Sequence, residues 1–81
     1  MSKKVQAVEV GTEVKLIEHG TDDEEIYQVV ENSQANLVQN KIPPENPMAQ
    51  VLMGKKPGEE VSLTGPNGEV KFSVLEVNQV D

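Results

Sequence analysis

Apolar and polar residues alternate through most of this chain, and only one stretch departs from that period. Val14 and Leu16 share a face between Glu13 and Glu18, and Val8 and Val10 keep their parity across the Gly11-Thr12 corner. This predicts a first strand over residues 13–18, preceded by an extended arm. Ile26-Tyr27-Gln28-Val29-Val30 predicts a second strand with Tyr27 and Val29 inward, and the polar loop His19 to Glu25 makes the two an antiparallel hairpin. Asn32-Ser33-Gln34-Ala35 reads as a turn, Asn36-Leu37-Val38 as a weakly apolar segment, and Ile42-Pro43-Pro44-Glu45 as backbone held extended by its prolines. Glu60 to Leu63 and Glu69 to Val74 alternate again around Gly65-Pro66-Asn67-Gly68, the clearest hairpin in the chain. Parity slips at Leu75 and resumes at Val77, so a bulge near Val74-Leu75 is expected to keep Val70, Phe72, Val74 and Val77 all against the core.

The exception runs from Asn46 to Glu59. Asn46 suits an N-cap and Pro47 the first helical position, while Met48, Val51 and Leu52 fall on one face at spacings of three and four. Gly54 can take the left-handed conformation that closes a helix, Lys55 and Lys56 complement its negative end, and Pro57 prevents renewal. A helix this short is marginal alone and has to dock on a larger element. The pattern therefore predicts an α+β domain: a curved antiparallel sheet of four to five strands with one short helix packed across it. Neither an internal repeat nor a second domain is visible.

Composition narrows the function. With 81 residues, 36% of them hydrophobic, the chain supports one small core. It has no cysteine, which excludes disulfides and thiolate metal sites and fits a reducing cytoplasm. No apolar run approaches the roughly 20 residues that span a bilayer, and Met1-Ser2-Lys3-Lys4 does not lead into the apolar region of a signal peptide. A cytoplasmic domain away from membranes is expected. The formal charge of -7, with lysine as the only fixed cation, repels phosphate backbones and leaves no guanidinium to read bases, so direct nucleic-acid binding is not expected.

Enzymatic machinery is hard to find. His19 is the one histidine, and Glu18, Asp22 and Asp23 beside it have the look of solvated loop carboxylates rather than a metal site; no calcium-loop pattern is present. Ser33, Ser62 and Ser73 lack a histidine at any spacing that would make it their base. Gly54-Lys55-Lys56 ends a helix instead of opening one, the wrong polarity for phosphate. No catalytic residue, cofactor or metal is expected. Thr21 to Glu25 admits two readings: a solubilising turn in which Asp22 and Asp23 satisfy backbone donors, or a recognition loop on a rigid scaffold.

Taken in order, Gly11-Thr12-Glu13-Val14-Lys15-Leu16, Asp22 to Val30, Pro47 to Val61 with its Leu-x-Gly-Lys-x-x-Gly tail, and Pro66-Asn67-Gly68-Glu69-Val70-Lys71-Phe72 resemble the C-terminal domain of the bacterial Gre (GreA/GreB) transcript-cleavage factors. The resemblance runs from about Val10 to Val77. It implies a fold like that of FK506-binding prolyl isomerases, with residues 10–81 as the domain and 1–9 as a flexible arm or linker remnant, frayed over 1–6. It also implies that the domain docks on RNA polymerase, against a coiled coil of the largest subunit at the rim of the secondary channel. The family's cleavage activity belongs to an N-terminal coiled-coil hairpin, which Met1 to Gln6 are too short to form, so RNA cleavage is not expected of this chain alone. At the helix start, Asn46-Pro47-Met48-Ala49 stands for the family's Ser-Pro-Ile-Gly or Ser-Pro-Ile-Ala, and in the loop an Asp-Ser pair falls on Gly20-Thr21, keeping the hydroxyl and losing a carboxylate. Gly20, Thr21, Asp22 and Pro47 are the implied protein-binding residues. The alternatives are an interaction module for another protein and, on fold analogy alone, a prolyl isomerase, for which one tyrosine and one phenylalanine supply little aromatic surface.

Overall fold

The computed structural model describes residues 3–4 and 7–80. The chain runs β1 (Lys3–Lys4), β2 (Thr12–Glu18), β3 (Glu24–Val29), two single 3-10 turns at Asn32–Gln34 and Leu37–Gln39, β4 (Lys41–Ile42), α1 (Pro47–Leu52), β5 (Glu60–Gly65) and β6 (Gly68–Gln79). The strands form one curved sheet in the order β1-β6-β2-β3-β4, with β5 also on β6. Among the described residues the sheet has four long strands, within the expected four to five, and β1 and β4 add two residues each. The sheet is not wholly antiparallel: β4 runs parallel to β3, Gln28 opposite Lys41 and Val29 opposite Ile42. The 3-10 turns between them, the second capped by the Asn36 side chain and ended by Asn40 at φ +58°, carry the chain back so that β4 runs alongside the last two residues of β3. That return makes a parallel pairing possible without a crossover helix.

The helix forms as its sequence dictates. The Asn46 side chain accepts a hydrogen bond from the Met48 amide at 2.9 Å, Pro47 opens the first turn, and Gly54 closes it at φ +81°. Met48, Ala49 and Leu52 are buried and Val51 packs half-buried beside them, so the buried stripe includes an alanine that the apolar spacing passes over. The helix lies against β5. Beneath it the core gathers Val14 and Leu16 of β2, Val29 of β3, Ile42 of β4, Val61 of β5, and Phe72, Val74 and Val77 of β6.

The bulge falls where parity predicts. On β2, Lys15 faces Glu76 and the next residue, Leu16, faces Val74, leaving Leu75 as the extra residue. Val70 nevertheless does not reach the core and stays exposed. It pairs with Leu63 near the tip of the β5–β6 ribbon, while β2 covers β6 only as far as Phe72. Val10 is exposed too. Glu9 to Thr12 form a turn closed by the Thr12 amide on the Glu9 carbonyl at 3.1 Å, with Gly11 at φ +95°, and strand parity does not survive a turn of this type II geometry. Val8, just before it, is buried; its backbone bonds both the Gly54 amide and the Lys55 carbonyl at 2.9 Å, clasping the end of α1. Lys3 and Lys4 pair with Gln79 and Asn78. The remaining residues of the expected frayed stretch, Met1, Ser2, Val5 and Gln6, lie outside the described residues.

Candidate protein-binding site

Gly20, Thr21 and Asp22 share one exposed turn between β2 and β3. Gly20 sits at φ +87°, a backbone conformation that costs an L side chain about 1–2 kcal/mol and glycine nothing. Thr21 then stitches the turn together. Its amide and its hydroxyl both donate to the Glu18 carbonyl, at 3.3 and 3.2 Å, and the hydroxyl accepts from the Asp23 amide at 3.1 Å. The Glu18 amide donates to the Asp23 carbonyl at 3.3 Å, closing the hairpin. The backbone donor that the turn reading gave to the aspartates is thus taken by the threonine hydroxyl, and the Asp22 side chain stands exposed at the tip.

His19 connects this turn to β6, the strand that flanks β2 on the side opposite β3. Its amide donates to the Lys71 carbonyl at 2.9 Å, and its ring Nε2 lies 2.7 Å from the Ser73 hydroxyl and 4.0 Å from a Glu60 carboxylate oxygen. Sequence spacing gives none of the serines a histidine as base, and the fold supplies the pairing of Ser73 with His19 that spacing does not show. The two are 54 residues apart, and only the β2–β6 register, which sets Ile17 opposite Ser73, brings them together. The trio is still not a nucleophile relay. A relay needs the two ring nitrogens to face different partners, one the hydroxyl and the other the carboxylate. Here one nitrogen faces both, in an exposed position.

Pro47 belongs to a different element. It is exposed at the first turn of α1, where Asn46 donates its amide to the Pro43 carbonyl and the Gln50 side chain reaches the Glu45 carbonyl at 3.3 Å. Among the described residues no hydrogen bond joins the helix start to the β2–β3 turn; three of the four implied residues lie on that turn and the fourth on α1.

Other features of the surface offer little chemistry. Among the described residues no three carboxylate or imidazole groups are placed to share a metal ion. An open groove of about 310 Å³ runs between α1 and β5, lined by Gln50, Val51, Met53, Lys55, Glu60, Val61 and Ser62. On the inner face of β3, burial, with a 2.8 Å hydrogen bond to the Glu25 carboxylate and that group's charge, pushes the Tyr27 hydroxyl up to about 12. Phe72 is buried in the core, so the two aromatic rings form no proline-gripping pocket. No described helix is long and apolar enough to cross a membrane.

A family model described as the C-terminal part of the transcription elongation factors GreA/GreB matches residues 2–79. The chain belongs to the GreA/GreB C-terminal domain family. It is 43% identical over 70 residues to a transcription elongation factor GreA of Helicobacter hepaticus, covering 86% of this chain and 43% of that protein. It is 34% identical over 76 residues to the GreA of Caldanaerobacter subterraneus, covering 94% of this chain and 48% of the relative. The chain thus spans a little under half the length of the curated GreA proteins it matches. Among solved structures, Gfh1 of Thermus aquaticus superposes with a TM-score of 0.79 at 30% identity, over 86% of this chain and 46% of that one. A GreA/GreB factor of Nitrosomonas europaea, at 20% identity and a TM-score of 0.78, shares the fold. The sheet with one short helix that the pattern predicts, and the family fold that the resemblance implies, are both observed.

Proposed function

We propose that this domain is a non-catalytic docking module of transcription elongation, binding bacterial RNA polymerase near the rim of the secondary channel through Gly20, Thr21, Asp22 and Pro47. The partner surface is the coiled coil of the largest subunit, and the work is done in the cytoplasm without cofactor or direct nucleic-acid contact. Membership of the GreA/GreB family carries the reading. It is supported by the β2–β3 turn, whose backbone is tied down by Thr21 while its tip is left to solvent. A turn ordered before binding loses less conformational entropy when it docks. Absence of catalysis is supported by the single-nitrogen geometry at His19 and by the burial of Phe72, which leaves little aromatic surface for a prolyl isomerase.

Titration of the chain against purified polymerase, with and without a full-length cleavage factor as competitor, tests the proposal. Binding that the competitor displaces is the expected result; neither binding nor competition at tens of micromolar would sink it. A different protein partner is the second reading, favoured by Leu37 and Val38, which stand 66% and 95% exposed on the second 3-10 turn, away from the β2–β3 loop. Affinity purification from the native cell separates the two: the large polymerase subunits are recovered under the first and missing under the second.

A further inference from the structure

We propose that His19 is a positioning residue for the docking turn, its ring clamping the Gly20–Asp22 backbone to β6 through the Ser73 hydroxyl. This inference rests on the docking reading above. The β2–β3 pairing ends at Ile17 opposite Glu24, and beyond it the turn's own bonds are few and exposed. A hairpin tip held only by itself moves as a unit about its base. Two bonds from His19 prevent that by reaching a different strand. The amide takes the Lys71 carbonyl directly across, and the ring reaches diagonally back to Ser73, the residue opposite Ile17. Diagonal neighbours on antiparallel strands lie about 7–8 Å apart, a span that a ring-bearing side chain bridges and a short one does not.

The site is built from three strands. Ser73 is also the register partner of Glu60 on β5, whose carboxylate lies 4.0 Å from the same ring nitrogen, so the clamp is seated where β2, β6 and β5 meet. Thr21 gives the turn its internal shape, and His19 fixes that shape relative to the sheet. A docking partner then meets Thr21 and Asp22 in one orientation, and the orientational part of the ordering loss is removed before encounter. The turn residues touch the partner; His19 acts through them.

Valine and threonine at position 73 have the same shape and similar strand preference, and differ in the hydroxyl. The experiment compares Ser73→Val with Ser73→Thr in the full 81-residue chain, alongside His19→Ala and the double variant His19→Ala/Ser73→Val. Two readouts are taken: hydrogen exchange of the loop amides, and the dissociation rate from RNA polymerase. Loss of one hydrogen bond of ordinary net strength corresponds to about a threefold to tenfold change in an opening equilibrium. Loop amides should therefore exchange faster by that factor in Ser73→Val than in Ser73→Thr, with core amides unchanged. Dissociation should quicken in parallel, Ser73→Thr should match the parent, and the double variant should be no worse than either single change, as for two ends of one contact. Equal exchange in the two position-73 variants overturns the clamp. Altered exchange with unaltered dissociation overturns its role in docking. A parent chain that does not bind polymerase overturns the docking reading and this role with it, and the exchange ratio then reports separately whether the clamp exists.

Discussion

Replacing Thr12 by valine should destabilise the domain by about 1–2 kcal/mol, although the two side chains have nearly the same shape. Thr12 is 1% exposed, the buried polar residue at the start of β2. Its hydroxyl donates to the Glu9 carbonyl at 2.6 Å and accepts from the Glu9 amide at 3.1 Å. Valine loses both. The Glu9 carbonyl keeps the Thr12 amide as a donor, so its loss is partial. The Glu9 amide is left without that partner, and a donor orphaned in this way costs about 1–3 kcal/mol when water cannot reach it. Glu9 itself is exposed, which places the expected value toward the lower end. Against a total of about 4–12 kcal/mol for a chain of this length, the loss is substantial and should lower Tm by about 4–16 °C. Urea melts followed by far-ultraviolet circular dichroism give the value, with Thr12→Ser, which retains the hydroxyl, as the reference. A Thr12→Val protein as stable as the parent, or a Thr12→Ser protein as unstable as Thr12→Val, would refute the hydrogen-bond account of this corner.

Leu52→Ala and Phe72→Ala each remove buried volume from the core and should cost about 2–5 kcal/mol in the same urea assay. Changing Thr21 and Asp22 together to alanine should alter stability by no more than about 1 kcal/mol while weakening polymerase binding, because both are exposed; an unfolded double variant would make the turn structural. Tyr27 is the sole tyrosine and there is no tryptophan, so the ultraviolet titration of tyrosinate reports one residue. Its midpoint should lie near 12 in the folded chain and fall when Glu25 is changed to glutamine, with the part due to burial persisting. Because folding favours the neutral phenol, the stability it contributes is complete below pH 10 and is lost as pH rises from 10 towards about 12.

Most of the frame was legible because its signals are local. The helix announces both ends through Asn46, Pro47 and Gly54, and the Leu75 slip marks its bulge within a single strand. What the sequence hid depends on which strands become neighbours. Val70 alternates correctly yet lies beyond the reach of β2, and Ser73 meets His19 through a register that no spacing encodes. The parallel β3–β4 pairing was hidden for another reason, since β4 is two residues long and is created by the turns before it. Of the candidate site, Gly20, Thr21 and Asp22 were visible as a polar turn. The threonine's stitching role was not, because aspartate is the commoner residue to satisfy a turn's donors.

The long strand β6 has a consequence for how the domain is made. It pairs with β1, β2 and β5, and its partners on β2 lie as far back as Thr12 opposite Gln79. A chain emerging from the ribosome can close the β2–β3 hairpin early, but Val14 and Leu16 have no lasting cover until the last described strand arrives to flank them. The domain therefore stays open until β6 has been made, and folding is gated by the slow search for pairings as distant as Thr12 with Gln79. An amber stop or stalled ribosome anywhere before Val77 should release a chain with exposed strand edges, prone to aggregation or proteolysis, and not a smaller stable domain.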